Sequence, residues 1–204
     1  MQHPDSVILI FSKAPVAGQV KTRLVPYITA QQAASLHQEL ARDRVQMCST
    51  AGLCDVQLWC SPDTAHPFFV DCARSYGVPL HTQRGSDLGE RMLHALQLAL
   101  DSYSKVVIIG TDAPALDAVS IKAVLHQLDS SDVVLVPAED GGYVLIASTR
   151  HHSQMLADVP WGSGQVLAST VRNFENLGLK YCLLGGSWDV DRPADLERYR
   201  ALKV

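Results

Sequence analysis

Three cations, Lys13, Lys21 and Arg23, crowd the short segment Lys13-Ala14-Pro15-Val16-Ala17-Gly18-Gln19-Val20-Lys21-Thr22-Arg23-Leu24, directly after the apolar run Val7 to Phe11. A strand that empties into such a loop has the chemistry of a phosphate cradle. Gly18 lets backbone amides approach an anion, Lys21 supplies a compact charge, and Arg23 offers a planar fork for two phosphate oxygens. The spacing G-x-x-K-T lacks one glycine of the P-loop pattern and is not G-x-G-x-x-G, so neither a P-loop nor a dinucleotide fold is indicated. Taken alone, the segment also reads as a solvated basic turn.

Carboxylates supply the complementary half. Asp112, in Gly110-Thr111-Asp112-Ala113-Pro114, follows an apolar strand and points where the cationic loop points. A carboxylate aimed at a phosphate site makes electrostatic sense with a divalent cation between them, and a hard oxygen ligand suits Mg²⁺ or Mn²⁺. By itself Asp112 equally reads as a turn residue or as a cap for the helix near Asp117. In Trp188-Asp189-Val190-Asp191-Arg192-Pro193, alternation along an extended segment puts Asp189 and Asp191 on one side. Either reaches a metal held by Asp112; Asp191 is taken as the second ligand and doubles as a helix N-cap. Third comes Glu139-Asp140-Gly141-Gly142-Tyr143, where paired glycines permit close approach of a bulky ligand. Asp140 there accepts hydrogen bonds from sugar hydroxyls or serves as a base; a tight turn between strands is the plainer reading.

The elements needed to bring these points together are visible as alternating apolar runs and helical periodicities, the pattern of a mainly parallel sheet covered by helices. Strands are expected over 7–11, 55–60, 78–82, 105–110, 132–137 and 180–184, with 142–147 pairing antiparallel. Helices are expected over 29–49 with Thr29 as N-cap, 66–76 ended by Gly77, 87–102, 120–128, 165–177 and 194–202. In the first of these Leu36, Leu40 and Met47 face inward, and in the third Leu88, Met92, Leu93, Leu96 and Leu100 do.

Composition narrows the class. With 204 residues, 47% of them hydrophobic, one domain over 1–204 is the expectation. A net charge of −4 gives no broad cationic field, which argues against nucleic acid as the main partner. No apolar run is long enough to cross a bilayer and the amino terminus lacks signal-peptide character, so a cytoplasmic protein without membrane insertion is expected. Five cysteines with no C-x-x-C spacing read as reduced, packed thiols, and the adjacent His151 and His152 as a surface loop.

Together these residues resemble a bacterial family, DUF2064, described as proposed nucleotide-diphospho-sugar transferases of glycosyltransferase-A type. The matching segments are Phe11-x-Lys13-x-Pro15-x-x-Gly18-x-x-Lys21-Thr22-Arg23-Leu24, Asp87-Leu88-Gly89-Glu90-Arg91-Met92, Gly110-Thr111-Asp112-x-Pro114-x-Leu116, Asp140-Gly141-Gly142-Tyr143-x-Leu145-Ile146, Pro160-Trp161 and Asp189-Val190-Asp191-x-Pro193-x-Asp195-Leu196. The resemblance implies a three-layer α/β/α fold of the GT-A, spore-coat-polysaccharide-synthesis-like kind, with a mainly parallel mixed sheet. It implies phosphate contacts from Lys13, Gly18, Lys21 and Arg23, a nucleobase near the segment Gly85 to Arg91 with Gly89 and Arg91 among the nucleotide-binding residues, and a metal on Asp112. Asp140, Gly141, Gly142 and Trp161 then face the sugar or acceptor, although Pro160-Trp161-Gly162-Ser163 departs from the family's Pro-Trp-Ser-Thr.

The expected reaction is glycosyl transfer from a nucleotide diphosphate sugar to a small-molecule acceptor, with Asp112 holding the metal and Asp140 as base. Nucleotidyl transfer from a nucleoside triphosphate to a phosphorylated metabolite is the alternative, because the K-T-R-L loop and D-x-D-x-P end also resemble phospholactate guanylyltransferases and molybdenum-cofactor nucleotidyltransferases. A protein that binds a nucleotide without turnover is a third reading.

Overall fold

Seven strands pair into one sheet in a computed structural model that describes residues 1–203. They are β1 (Ser6–Lys13), β2 (Asp55–Ser61), β3 (Leu80–Thr82), β4 (Lys105–Ile109), β5 (Val133–Pro137), β6 (Tyr143–Ser148) and β7 (Tyr181–Leu183). Six α-helices connect or follow them: α1 (Ala30–Thr50), α2 (Pro67–Tyr76), α3 (Leu88–Leu100), α4 (Ala118–Gln127), α5 (Val166–Asn176) and α6 (Pro193–Ala201). The spatial order is β3-β2-β1-β4-β6-β5-β7, and β6 alone runs antiparallel to its neighbours.

Sequence alternation explains the layering. Along β1, Ile8 and Ile10 pack into one core with α1, α2 and α4, whereas Val7, Leu9 and Phe11 pack into the other with α3 and α5. A strand buried on both faces cannot alternate with polar residues, which is why β1 and β4 read as continuous apolar runs. A third, smaller cluster joins Leu24, Leu36 and Leu40 to Trp188, Val190, Leu196 and Tyr199. It welds the segment after β1 to the tail before α6.

Local chemistry sets the helix boundaries. Thr29 Oγ1 accepts from the Gln32 amide while the Gln32 side chain accepts from the Thr29 amide, closing a capping box on α1. Asp87 caps α3 and Asp117 caps α4, so Asp112 is free of that task. At α6 the Asp195 carboxylate accepts from the amides of Asp191 and Arg192, and the N-cap position falls on Arg192 instead of Asp191. Two expectations need adjusting. Thr22–Leu24 forms a 3₁₀ turn that no periodicity announces, and Leu88 is 44% exposed because the first turn of α3 opens onto the crevice. Met47 is half-buried.

The sheet order places a topological switch between β1 and β4: from β1 the chain moves outward through β2 and β3, then returns to add β4 on the opposite side. Loops leaving the carboxyl ends of those two strands diverge and leave a crevice there. Lys13 to Leu24 follows β1 and Gly110 to Leu116 follows β4, so both chemical segments open on that crevice.

Candidate active site

Two adjoining cavities occupy the crevice. The larger, about 640 Å³, is walled by Lys13, Lys21, Arg23, His37, Gln83, Arg91, Asp112 and Asp191 among others. The smaller, about 300 Å³, is walled by Asp140, Gly142, Tyr143, Trp161 and Asp189, together with apolar residues from β4, β6 and α3. Phe11, Leu88, Gly110 and Asp112 belong to both walls. Both volumes lie in the range of small-ligand sites.

Asp112 stands at the junction. Its carboxylate accepts from the buried Lys21 ammonium at 2.8 Å, and His37 Nδ1 lies 3.6 Å from its other oxygen. Lys21 also donates to the Val190 carbonyl at 2.5 Å, while the Val190 amide donates to the Asp112 carbonyl at 2.9 Å. Arg23 is paired with Asp191. Residues from three distant parts of the chain are thus tied at one rim of the sheet. Enclosure disfavours the charged form of Asp112, but the Lys21 ammonium and the His37 ring outweigh it and hold this carboxyl well below the usual range. The direct ion pair is a solution that sequence reading, which placed a cation between carboxylate and phosphate, did not foresee.

Lys21 adopts a left-handed backbone, φ +51°, and this aims its side chain inward, toward Asp112, instead of out to solvent. Lys13 and Arg23 remain exposed and line the larger cavity. Arg91 donates from Nε to the Gly85 carbonyl, which orients its guanidinium along the same cavity. Three of the glycines lie behind the walls. Gly18 turns the chain at φ +80°; Gly89 lets Trp161 pack on α3, since a Cβ there would lie 2.9 Å from the indole; Gly141, at φ +87°, leaves room for the Gly164 carbonyl 2.3 Å from where a Cβ would be.

Asp140 is fixed from one side only: its Oδ1 accepts from the Gly142 amide at 2.9 Å. No Lys, Arg or His comes within 4 Å of Asp140 or Asp189 among the described residues. Burial, then the neighbouring Asp140 and Asp191 carboxylates, push Asp189 up to about 6. Tyr143 and Trp161 meet edge to face, ring centroids 6.3 Å apart, as an aromatic wall.

Two contributors escaped the sequence reading. His37 Nε2 bonds the Lys13 carbonyl at 3.0 Å, bridging the end of β1 to Asp112. Arg44 is buried and its guanidinium donates to the carbonyls of Ala113 and Leu116, bracing the loop that carries Asp112. Both sit on the apolar stripe of α1, and that misplaced polarity was the available signal. Cys48, Cys54, Cys60 and Cys72 are buried free thiols, and His151 and His152 are exposed, as expected.

With this geometry in view, likeness to known proteins becomes decisive. Residues 44–163 match the profile of a family described as "Uncharacterized protein conserved in bacteria (DUF2064)". The chain belongs to the DUF2064 family. Among solved structures, this DUF2064 chain is similar to a proposed nucleotide-diphospho-sugar transferase from Desulfovibrio desulfuricans G20, with TM-score 0.88, 31% identity, and coverage of 98% of this chain and 88% of that one. It shares its fold with 4-diphosphocytidyl-2C-methyl-D-erythritol synthase from Anaerococcus prevotii, at TM-score 0.62 and 11% identity, with coverage of 98% of each chain. Glucosyl-3-phosphoglycerate synthase from Mycobacterium tuberculosis, solved with Mn²⁺, UDP and glucosyl-3-phosphoglycerate, is similar at TM-score 0.52 and 15% identity, over 96% of this chain and 75% of that one. No curated protein matches by sequence. The fold is that of nucleotide-sugar and nucleotidyl transferases, and the protein is a transferase by this kinship. No helix among the described residues is long and apolar enough to cross a membrane.

Proposed function

We propose that this protein transfers a glycosyl group from a nucleotide diphosphate sugar to a small-molecule acceptor, assisted by Mg²⁺ or Mn²⁺. The observation that carries the reading is the division of the crevice at Asp112: a large cavity lined by Lys13, Lys21, Arg23 and Arg91 suits the nucleotide and its diphosphate, and a smaller one without cations suits the reacting end of the sugar and the acceptor that meets it. Phosphates call for the first kind of wall, and hydroxyl-rich rings for carboxylates and aromatic faces.

The donor set fits a divalent ion. Among the described residues no three His, Cys, Asp or Glu side chains close a cage by themselves, but a magnesium-type ion needs only one or two carboxylates, with phosphate oxygens and water completing the shell. Asp112 with a carboxylate of the Asp189–Asp191 segment would hold it, and Asp189, which has no cationic partner, is the better placed because Asp191 is tied to Arg23. Bound there, the ion would neutralise charge on the departing diphosphate. Arg23 releases Asp191 and takes phosphate oxygens; Lys21 keeps the Asp112 and Val190 loops in register; Asp140, with one oxygen held by the Gly142 amide, accepts the acceptor hydroxyl's proton.

The test is incubation with a panel of nucleotide sugars and nucleoside triphosphates with Mn²⁺. Release of nucleoside diphosphate from a nucleotide sugar supports the proposal. Pyrophosphate release from a triphosphate, the chemistry of the cytidylyl-transferring relatives of this fold, would replace it with nucleotidyl transfer.

A further inference from the structure

The smaller cavity has an electrostatic character that limits what can enter it. Its wall carries three carboxylates, Asp112, Asp140 and Asp189, and no Lys, Arg or His. Lys21 answers Asp112 from the far side, within the larger cavity's wall, whereas Asp140 and Asp189 face the smaller space without a cationic partner. The rest of the lining is apolar or aromatic, with Phe11, Leu88 and Met92 beside Tyr143 and Trp161 among its residues. A phosphate or carboxylate placed here would lose its hydration, meet no donor side chain that is charged, and face like charges in a site of reduced dielectric. A divalent ion at Asp112 does not reverse this, because the donor's diphosphate neutralises it.

From this lining we infer that the smaller cavity admits only groups free of phosphate and carboxylate, so that the acceptor is an uncharged, hydroxyl-rich molecule with one apolar face. Hydroxyls donate to Asp140 and its neighbours, and the apolar face lies on the Tyr143–Trp161 wall. The inference rests on the glycosyl-transfer reading for the role of the occupant, while the charge selectivity belongs to the cavity itself. It sets this protein apart from the glucosyl-3-phosphoglycerate synthase of similar fold, whose bound glucosyl-3-phosphoglycerate bears a phosphate and a carboxylate.

The experiment places a single thiol in the cavity. Ala138→Cys and, on β6, Val144→Cys are each made in a Cys182→Ser background, since both positions are half-buried on the cavity wall and the other four cysteines are buried. Each thiol is then labelled with a cationic (trimethylammonium) or an anionic (sulfonate) methanethiosulfonate, with UDP and Mn²⁺ present, and the rates are normalised to those of free cysteine. The cationic reagent is expected to react at least tenfold faster, and Asp140→Asn to shrink that ratio several-fold. Glucose is expected to protect the thiol more than glucose 6-phosphate does. A ratio near one in both positions, or stronger protection by the phosphorylated sugar, overturns the inference. Failure of every nucleotide sugar to bind would instead remove the donor reading and leave the labelling ratio standing, so the two failures are distinguishable.

Discussion

At the residue scale the decisive arrangement is Lys21, Asp112 and Val190, because a buried ammonium needs both a counter-charge and full hydrogen bonding. Asp112→Asn removes the charge but keeps the shape. It is expected to cost on the order of 1–2 kcal/mol by urea unfolding, less than a fully buried pair would, since Asp112 is open to water on one side. Transferase activity should fall at least about a hundredfold, because stabilising charge on the leaving group is usually the largest catalytic contribution. Asp189 gives a prediction of opposite sign. Its carboxyl titrates at about 6 in the folded chain against an ordinary 3.8, so between those values the native state keeps a proton that the unfolded chain has lost. Its contribution therefore declines as pH rises from about 4 to 6 and levels off above. Asp189→Asn should abolish that slope and be more stable than the parent at pH 7, by about 2 kcal/mol, in melts compared across pH. Lys21, Arg23, Asp112 and Asp140 were legible in the sequence because charged residues beside glycine and proline at strand ends stand out. His37 and Arg44 were not, because a helical stripe reports burial and says nothing about which buried side chain reaches a distant loop.

The element scale shows how glycines let pieces of backbone meet. In α3, replacing Gly89 with alanine would ordinarily help a helix by about 1 kcal/mol. Here the added methyl meets the Trp161 indole at 2.9 Å and the Leu156 carbonyl at 3.0 Å, so steric conflict wins. Gly89→Ala is expected to lose about 1–2 kcal/mol net and to change tryptophan fluorescence as Trp161 is displaced. Gly141→Ala is more severe, since a positive φ and a contact of 2.3 Å to the Gly164 carbonyl act together. A loss of about 3 kcal/mol or more in a thermal melt is expected, with the smaller cavity distorted. Strands and helices were readable to within about two residues, because caps such as Thr29, Asp87 and Gly77 write their own boundaries. The 3₁₀ turn at Thr22–Leu24 was not readable, since it follows from Leu24 being drawn into the cluster with Trp188 and Val190, contacts separated by most of the chain.

At the scale of the whole molecule, binding should register as global stabilisation. A nucleoside diphosphate with Mn²⁺ at a hundred times its dissociation constant is expected to add about 2.7 kcal/mol, seen as a raised melting temperature that EDTA reverses in part. The same melt with Asp112→Asn should show little dependence on Mn²⁺. The parallel sheet was legible from alternating patterns, yet its order was not: nothing local distinguishes a strand that extends one edge from one that crosses to the other side, and that crossing creates the crevice.

The tie through Val190 carries a further consequence for biosynthesis. Its amide and carbonyl bridge the loop holding Asp112 to the ammonium of Lys21, so the direct Lys21–Asp112 pair gains this backbone clasp only once residue 190 has left the ribosome. Translation supplies the amino-terminal two-thirds of the sheet seconds earlier, at about 5–20 residues per second. The nascent polypeptide therefore carries its cationic loop for that interval without the clasp that orders it.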